Sequence, residues 1–138
     1  MSDSRQTGVS LLEVLISLLV LAIGILGIVA LQTKSLALVQ EAYWRGQAVG
    51  LAYDLGDRLR ASSSQLSDYA IVMDNGAPQG SGLGSKDLTG WLDDLGAILP
   101  NGDGSVAIDG DQVTITVQWN ASPRLEGTLQ SFVTKVNI

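Results

Sequence analysis

Val14-Leu15-Ile16-Ser17-Leu18-Leu19-Val20-Leu21-Ala22-Ile23-Gly24-Ile25-Leu26-Gly27-Ile28-Val29-Ala30-Leu31 holds one hydroxyl and no charge. As a helix rising about 1.5 Å per residue it reaches roughly 27 Å, close to the hydrocarbon thickness of a bilayer. A cleaved secretory signal would want a shorter apolar core and an Ala-x-Ala-like exit, and Leu31-Gln32-Thr33-Lys34-Ser35-Leu36 offers none. A buried core helix is equally unsuitable, because the Gly-rich remainder of the chain is too small to wrap a helix that is apolar on every face. A single membrane-spanning helix is the expected element.

Outward from this run the chain changes character. Residues 14 to 33 carry no charge, whereas from Lys34 onward seven Lys or Arg stand against twelve Asp or Glu, a balance of minus five. A head of that sign repels nucleic acid and anionic lipid, so no nucleic-acid partner is expected. There is no cysteine and no histidine. Disulfides, thiolate metal sites and the commonest general base are therefore excluded, and the head must be stable through its apolar core.

On the N-terminal side lies Val9-Ser10-Leu11-Leu12-Glu13. A carboxylate at a helix centre in a membrane costs about 2.5 to 3.5 kcal/mol, and less near the interface, unless a cation neutralises it. An ordinary signal anchor explains the whole run except Glu13.

Gly8-Val9-Ser10-Leu11-Leu12-Glu13 followed by a long apolar run resembles the prepilin cleavage signature of type IV pilin-like proteins, Gly-Phe-Thr-Leu-Ile-Glu in its usual form. The resemblance implies a leader of residues 1 to 8, with Arg5 as its basic residue, removed by a prepilin peptidase on the cytoplasmic side of the inner membrane. It implies that Val9 becomes the first mature residue and is N-methylated, although the family prefers Phe or Met there. It also implies that Glu13 faces the terminal amine of a neighbouring subunit during assembly. A low-dielectric carboxylate needs such a cation on physical grounds alone. Arg5 is offset by Asp3, and Lys34 and Arg45 lie beyond the span, so the N-in topology rests on the resemblance and not on charge bias.

Beyond the span, Leu31, Leu38, Ala42, Val49, Ala52, Leu59 and Leu66 recur at helical spacing, and no proline occurs before Pro78. One helix from about Ser10 to Leu66, roughly 85 Å long, is expected, fraying near Ser62-Ser63-Ser64. Gly46-x-x-x-Gly50 and Gly56 allow close helix packing or are tolerated surface glycines. Residues 74 to 85 read as a loop without a phosphate-cradle spacing. Ser85 is expected to cap a helix through about Ile98, with Asp87 in its first turn and Leu88, Trp91, Leu92, Leu95 and Ile98 inward; Pro100 stops it.

Three strands follow, at about 105–109, 113–119 and 129–138, and Asp109-Gly110-Asp111 turns the first into the second. Val113, Ile115, Val117 and Trp119 alternate with polar residues, so one face is buried. The expected class is α+β: a pilin fold with a long N-terminal helix on a small three-stranded antiparallel sheet. Its parts are a leader (1–8), a transmembrane helix half (9–33) and a periplasmic head (34–138). Within the head the helix continues to about 66, a loop and short helix reach about 100, and the sheet covers 104–138.

Leu12-Glu13-Val14-Leu15, Leu21-Ala22-Ile23-Gly24-Ile25-Leu26-Gly27, Leu31-Gln32, Leu99-Pro100-Asn101-Gly102 and Val117-Gln118-Trp119 resemble the PilV-type minor pilins most. That likeness implies a minor pilin that primes or joins a type IV pilus at its tip, with other minor pilins and a tip protein as partners. A type II secretion pseudopilin shares every motif through Glu13, and a membrane-anchored binding domain predicts no cleavage after Gly8.

No catalytic, cofactor or metal residue is expected. Asn101, Asp103, Ser105, Asp109 and Asp111 have calcium-loop spacing, but Val106 stands where that loop needs Gly and Gln112 where it needs Glu. Asp93-Asp94 are neighbours that face apart on a helix. Trp91 and Trp119 read as core, and Asn120-Ala121-Ser122 fits a glycosylation sequon.

Overall fold

The computed structural model describes residues 10–121 and 128–138. The chain divides into two units, one up to Gln40 and one from Glu41 to Ile138. The order of elements is α1 (Leu11–Ala61), a short 3-10 helix (Ser63–Tyr69), α2 (Leu83–Ile98), β1 (Asp103–Asp109), β2 (Gln112–Asn120) and β3 (Leu129–Asn137). A long apolar helix followed by a small antiparallel sheet of order β1-β2-β3 is the α+β arrangement of the pilin fold.

The first unit is the N-terminal part of α1. It is long and apolar enough to cross a membrane, and none of its most apolar stretch is buried. Ser17 and Thr33 pair their hydroxyls within the helix: Ser17 Oγ donates to the Glu13 carbonyl at 2.8 Å and Thr33 Oγ1 to the Val29 carbonyl at 2.9 Å. Hydrocarbon offers no other partner, so this internal pairing suits the segment to lipid.

In the second unit the buried face of α1 is Ala48, Ala52, Leu55, Gly56 and Leu59. Of the residues whose spacing marked the helix, Ala52 and Leu59 are core, Val49 is half-buried, and Leu31, Leu38 and Ala42 are exposed; Leu66, half-buried, lies beyond α1 in the 3-10 helix. A Cβ on Gly56 would lie 3.4 Å from Val136 Cγ2, whereas Gly46 and Gly50 face open space. Close packing therefore applies to Gly56 alone of those three within this chain.

The helix also ends sooner than expected, at Ala61 rather than near Leu66. Ser62 leaves helical geometry, and Gln65 inside the following turn does so too. Consecutive serines compete with the helix for backbone hydrogen bonds, while Arg58 and Arg60 favour the carbonyl end of α1.

α2 starts at Leu83 with Gly82 at its N-cap and no side-chain cap. Ser85 is therefore not the cap; its hydroxyl donates to the Pro78 carbonyl and fastens the preceding loop. Asp87 falls outside the first turn and accepts the Tyr69 hydroxyl at 2.6 Å, with Arg58 at 3.6 Å. Leu88, Trp91 and Leu95 face the core, Leu92 is partly buried, and Leu99 rather than Ile98 completes the row.

Residues 99–102 form a turn in which Gly102 N–H donates to the Leu99 carbonyl at 3.1 Å. Asn101 has a positive φ of 50°, which Asn tolerates, and Pro100 precedes it as such turns prefer. The Pro100 carbonyl accepts from Asn120 N–H at 2.8 Å, so this turn is tied to the end of β2. In the hairpin Asp109 pairs with Gln112 around Gly110 (φ 60°) and Asp111, a glycine being needed at the first central position of this turn. The strands run slightly longer than expected at the start of β1 and at both ends of β2.

Tyr69 is fully buried beneath α2. Burial first, and then its hydrogen bond to Asp87, raise its phenol above the ordinary value of 10.0. A raised folded value means that the contribution of this group is complete below the ordinary value and is lost as pH rises through the folded one. Stability should therefore fall above about pH 10. Tyr69→Phe should be less stable at pH 7 but should flatten the alkaline slope, read from urea midpoints at pH 8 to 11. An unchanged slope would assign the alkaline loss to other groups.

Candidate functional site

The candidate site is the beginning of α1. Ser10 immediately precedes the helix: its carbonyl accepts from Glu13 N–H at 2.9 Å and Val14 N–H at 3.2 Å, and its hydroxyl accepts from Leu12 N–H at 3.3 Å. Ser10 is thus the N-cap, and Glu13 stands three residues on, inside the first turn. Sequence reasoning missed this cap, although Ser-x-x-Glu before an apolar run is its signature.

Glu13 is exposed, and no described residue offers its carboxylate a cation or a hydrogen bond. Its neighbours are Leu11, Leu12, Val14 and Leu15, exposed by 84, 65, 45 and 63%. The carboxylate therefore sits among apolar side chains with only the positive end of the helix to favour it, an effect of about 0.3 to 1 kcal/mol. That is smaller than the cost of an unpaired charge in lipid. The arrangement can accept one small cation, and an ammonium supplies both charge and donors. Gly8 and Val9, with the proposed leader and its Arg5, lie outside the described residues.

The other polar residues singled out in the sequence do not converge. Asp103 and Asp109 stand at opposite ends of β1. Asp103 is already engaged, accepting from Asp74 N–H at 2.7 Å and Gly104 N–H at 2.8 Å. Asp93 and Asp94 are exposed on α2. Trp91 and Trp119 are core residues, Trp91 donating to the Leu51 carbonyl at 3.0 Å. Ser122 of the sequon lies outside the described residues. A cleft lined by Asp68, Pro78, Gln79, Gly80, Gly82 and Ser85 brings together no acid–base pair.

Residues 3–29 match the family model described as the prokaryotic N-terminal methylation motif, the signal of type IV prepilin-like proteins. The matched stretch contains Gly8, Val9, Glu13 and nearly all of the apolar run. No curated protein matches the chain, and no solved structure does. Motif and fold together support a type IV pilin-like or pseudopilin precursor, a structural class rather than an enzymatic one.

Proposed function

We propose that this chain, a membrane-anchored precursor carrying the prepilin-type motif, is a minor pilin of a type IV pilus. A prepilin peptidase removes residues 1 to 8 after Gly8, and Val9 is N-methylated. The subunit waits in the inner membrane with its head in the periplasm. It then primes or joins filament assembly at the tip, together with other minor pilins and a tip protein.

The observation that carries this reading is Glu13: an unpaired carboxylate in the first turn of an apolar helix, inside the matched motif. A neighbouring subunit's N-terminal ammonium neutralises it, so an otherwise costly residue becomes a registration device. The likeness of residues 99–102 and 117–119 to PilV-type minor pilins favours the minor role, and the Pro100 carbonyl accepts from Asn120, the residue that follows the second segment.

Processing is the direct test. Protein extracted from membranes of cells with a prepilin peptidase should lack eight residues and begin with methylated Val9, as read by intact mass and N-terminal fragmentation. An uncut chain would make it a membrane-anchored binding domain. A deletion strain should lose pili. If it keeps them and loses secretion of folded exoproteins, the chain is a type II secretion pseudopilin.

A further inference from the structure

Strand β3 ends the sheet, and no described strand pairs with its other side. The register fixes which of its backbone groups are free. Ala121 N–H donates to the Thr128 carbonyl and Ile138 N–H to the Asp111 carbonyl, at the two ends of the β2–β3 ladder. Both are directly opposed pairs in the same register, so the even-numbered residues of β3 turn their backbone groups to β2. Leu129, Ser131, Val133, Lys135 and Asn137 therefore point N–H and C=O outward, along a nine-residue strand with no proline.

The opposite edge of the sheet is treated differently. On β1, Val106 exchanges both backbone bonds with Ile71, at 2.9 and 3.0 Å, and this bridge closes the middle of that edge. The fold thus protects one edge and leaves the other available for strand addition.

Side chains around the open edge define what it accepts. Phe132 is partly buried on the core-facing side and meets Tyr53 of α1, ring centroids 6.5 Å apart, with Tyr53 52% exposed. On the other side Leu129 and Val133 are 61 and 53% exposed, and Lys135 has no carboxylate within ion-pair distance among the described residues. Beside Lys135 on β2 is Thr114. An added strand would lay apolar side chains toward Tyr53 and Phe132 and place its outer residues beside Lys135.

A second copy is a poor occupant. β3 carries no acid to meet Lys135, and the β1 edge, whose Asp103 and Asp109 would be suitable, is closed by Ile71. We propose that the free edge of β3 binds an extended segment of another protein in which apolar residues alternate with carboxylates. This goes beyond the pilin reading and stands without it.

The test uses the full chain in detergent and the peptide Thr-Val-Glu-Val-Thr-Val-Glu-Val-Thr with blocked ends. Saturating peptide should slow amide exchange at least tenfold at Leu129, Ser131, Val133, Lys135 and Asn137 and leave the even-numbered amides unchanged. A peptide with Lys in place of Glu should bind about two- to fivefold more weakly, the worth of one cross-strand charge pair. Lys135→Glu should reverse that preference. Val133→Pro, which removes an N–H the fold does not use, should abolish binding while Val136 keeps its protection. No protection at millimolar peptide, or no reversal in Lys135→Glu, would overturn the proposal. Protection that appears with rising protein concentration alone, with a dimer on sedimentation, would overturn it in favour of self-pairing.

Discussion

Glu13→Val should leave leader removal and membrane insertion intact and reduce incorporation into filaments roughly a hundredfold or more. Removing one partner of a buried ion pair costs about 3 to 5 kcal/mol, because the other charge is left uncompensated. The ion-pair account has a structural competitor: Ser10 caps α1, and Glu13 stands at the position where a Glu or Gln completes a capping box. The two differ for Glu13→Gln. An amide serves a cap as well as a carboxylate does but cannot neutralise an ammonium. Filament content measured by shearing and quantitative immunoblot should therefore collapse in both variants. Near-normal assembly of Glu13→Gln would reduce the residue to a helix cap.

The second large effect lies in the head, where Trp91 and Gly104 share one space. A Cβ on Gly104 would stand 2.2 Å from the Trp91 ring and 2.9 Å from Leu95 Cδ1, both from α2. Gly104→Ala should therefore destabilise the head by about 1 to 3 kcal/mol through overpacking. Trp91→Ala should cost about 3 to 5 kcal/mol through its cavity. Because the ring is the main obstacle, the added methyl should be nearly neutral once Trp91 is Ala. A double-mutant cycle in urea should then show about 1 to 2 kcal/mol of favourable coupling. Strict additivity would mean that the strain at Gly104 comes from Leu95 and not from the indole.

Much of the fold was legible because it follows from local chemistry. The apolar run, the alternation of Val113 to Trp119, the Pro100 stop and the Gly110 turn each state their conformation within a few residues. The end of α1 was legible in part: the serine run marks where the helix frays, but not that α-helical geometry stops at Ala61 and a 3-10 turn carries the chain to Tyr69. Ser85 was misassigned because its hydroxyl had two possible uses, and the position of Pro78 chose between them.

At the site, sequence alone determined that a carboxylate opens a membrane-length apolar helix, because charge and hydropathy are properties of residues irrespective of their neighbours. The register of α1 against the sheet was decided by tertiary structure. In the second unit, the residues of α1 that join the core are Ala48, Ala52, Leu55, Gly56 and Leu59, a choice that helical spacing alone does not make. The open edge of β3 was decided the same way. Its composition resembles that of any half-buried strand, and whether its outward N–H groups are paired depends on which chain lies beside it, a long-range fact that no local pattern carries.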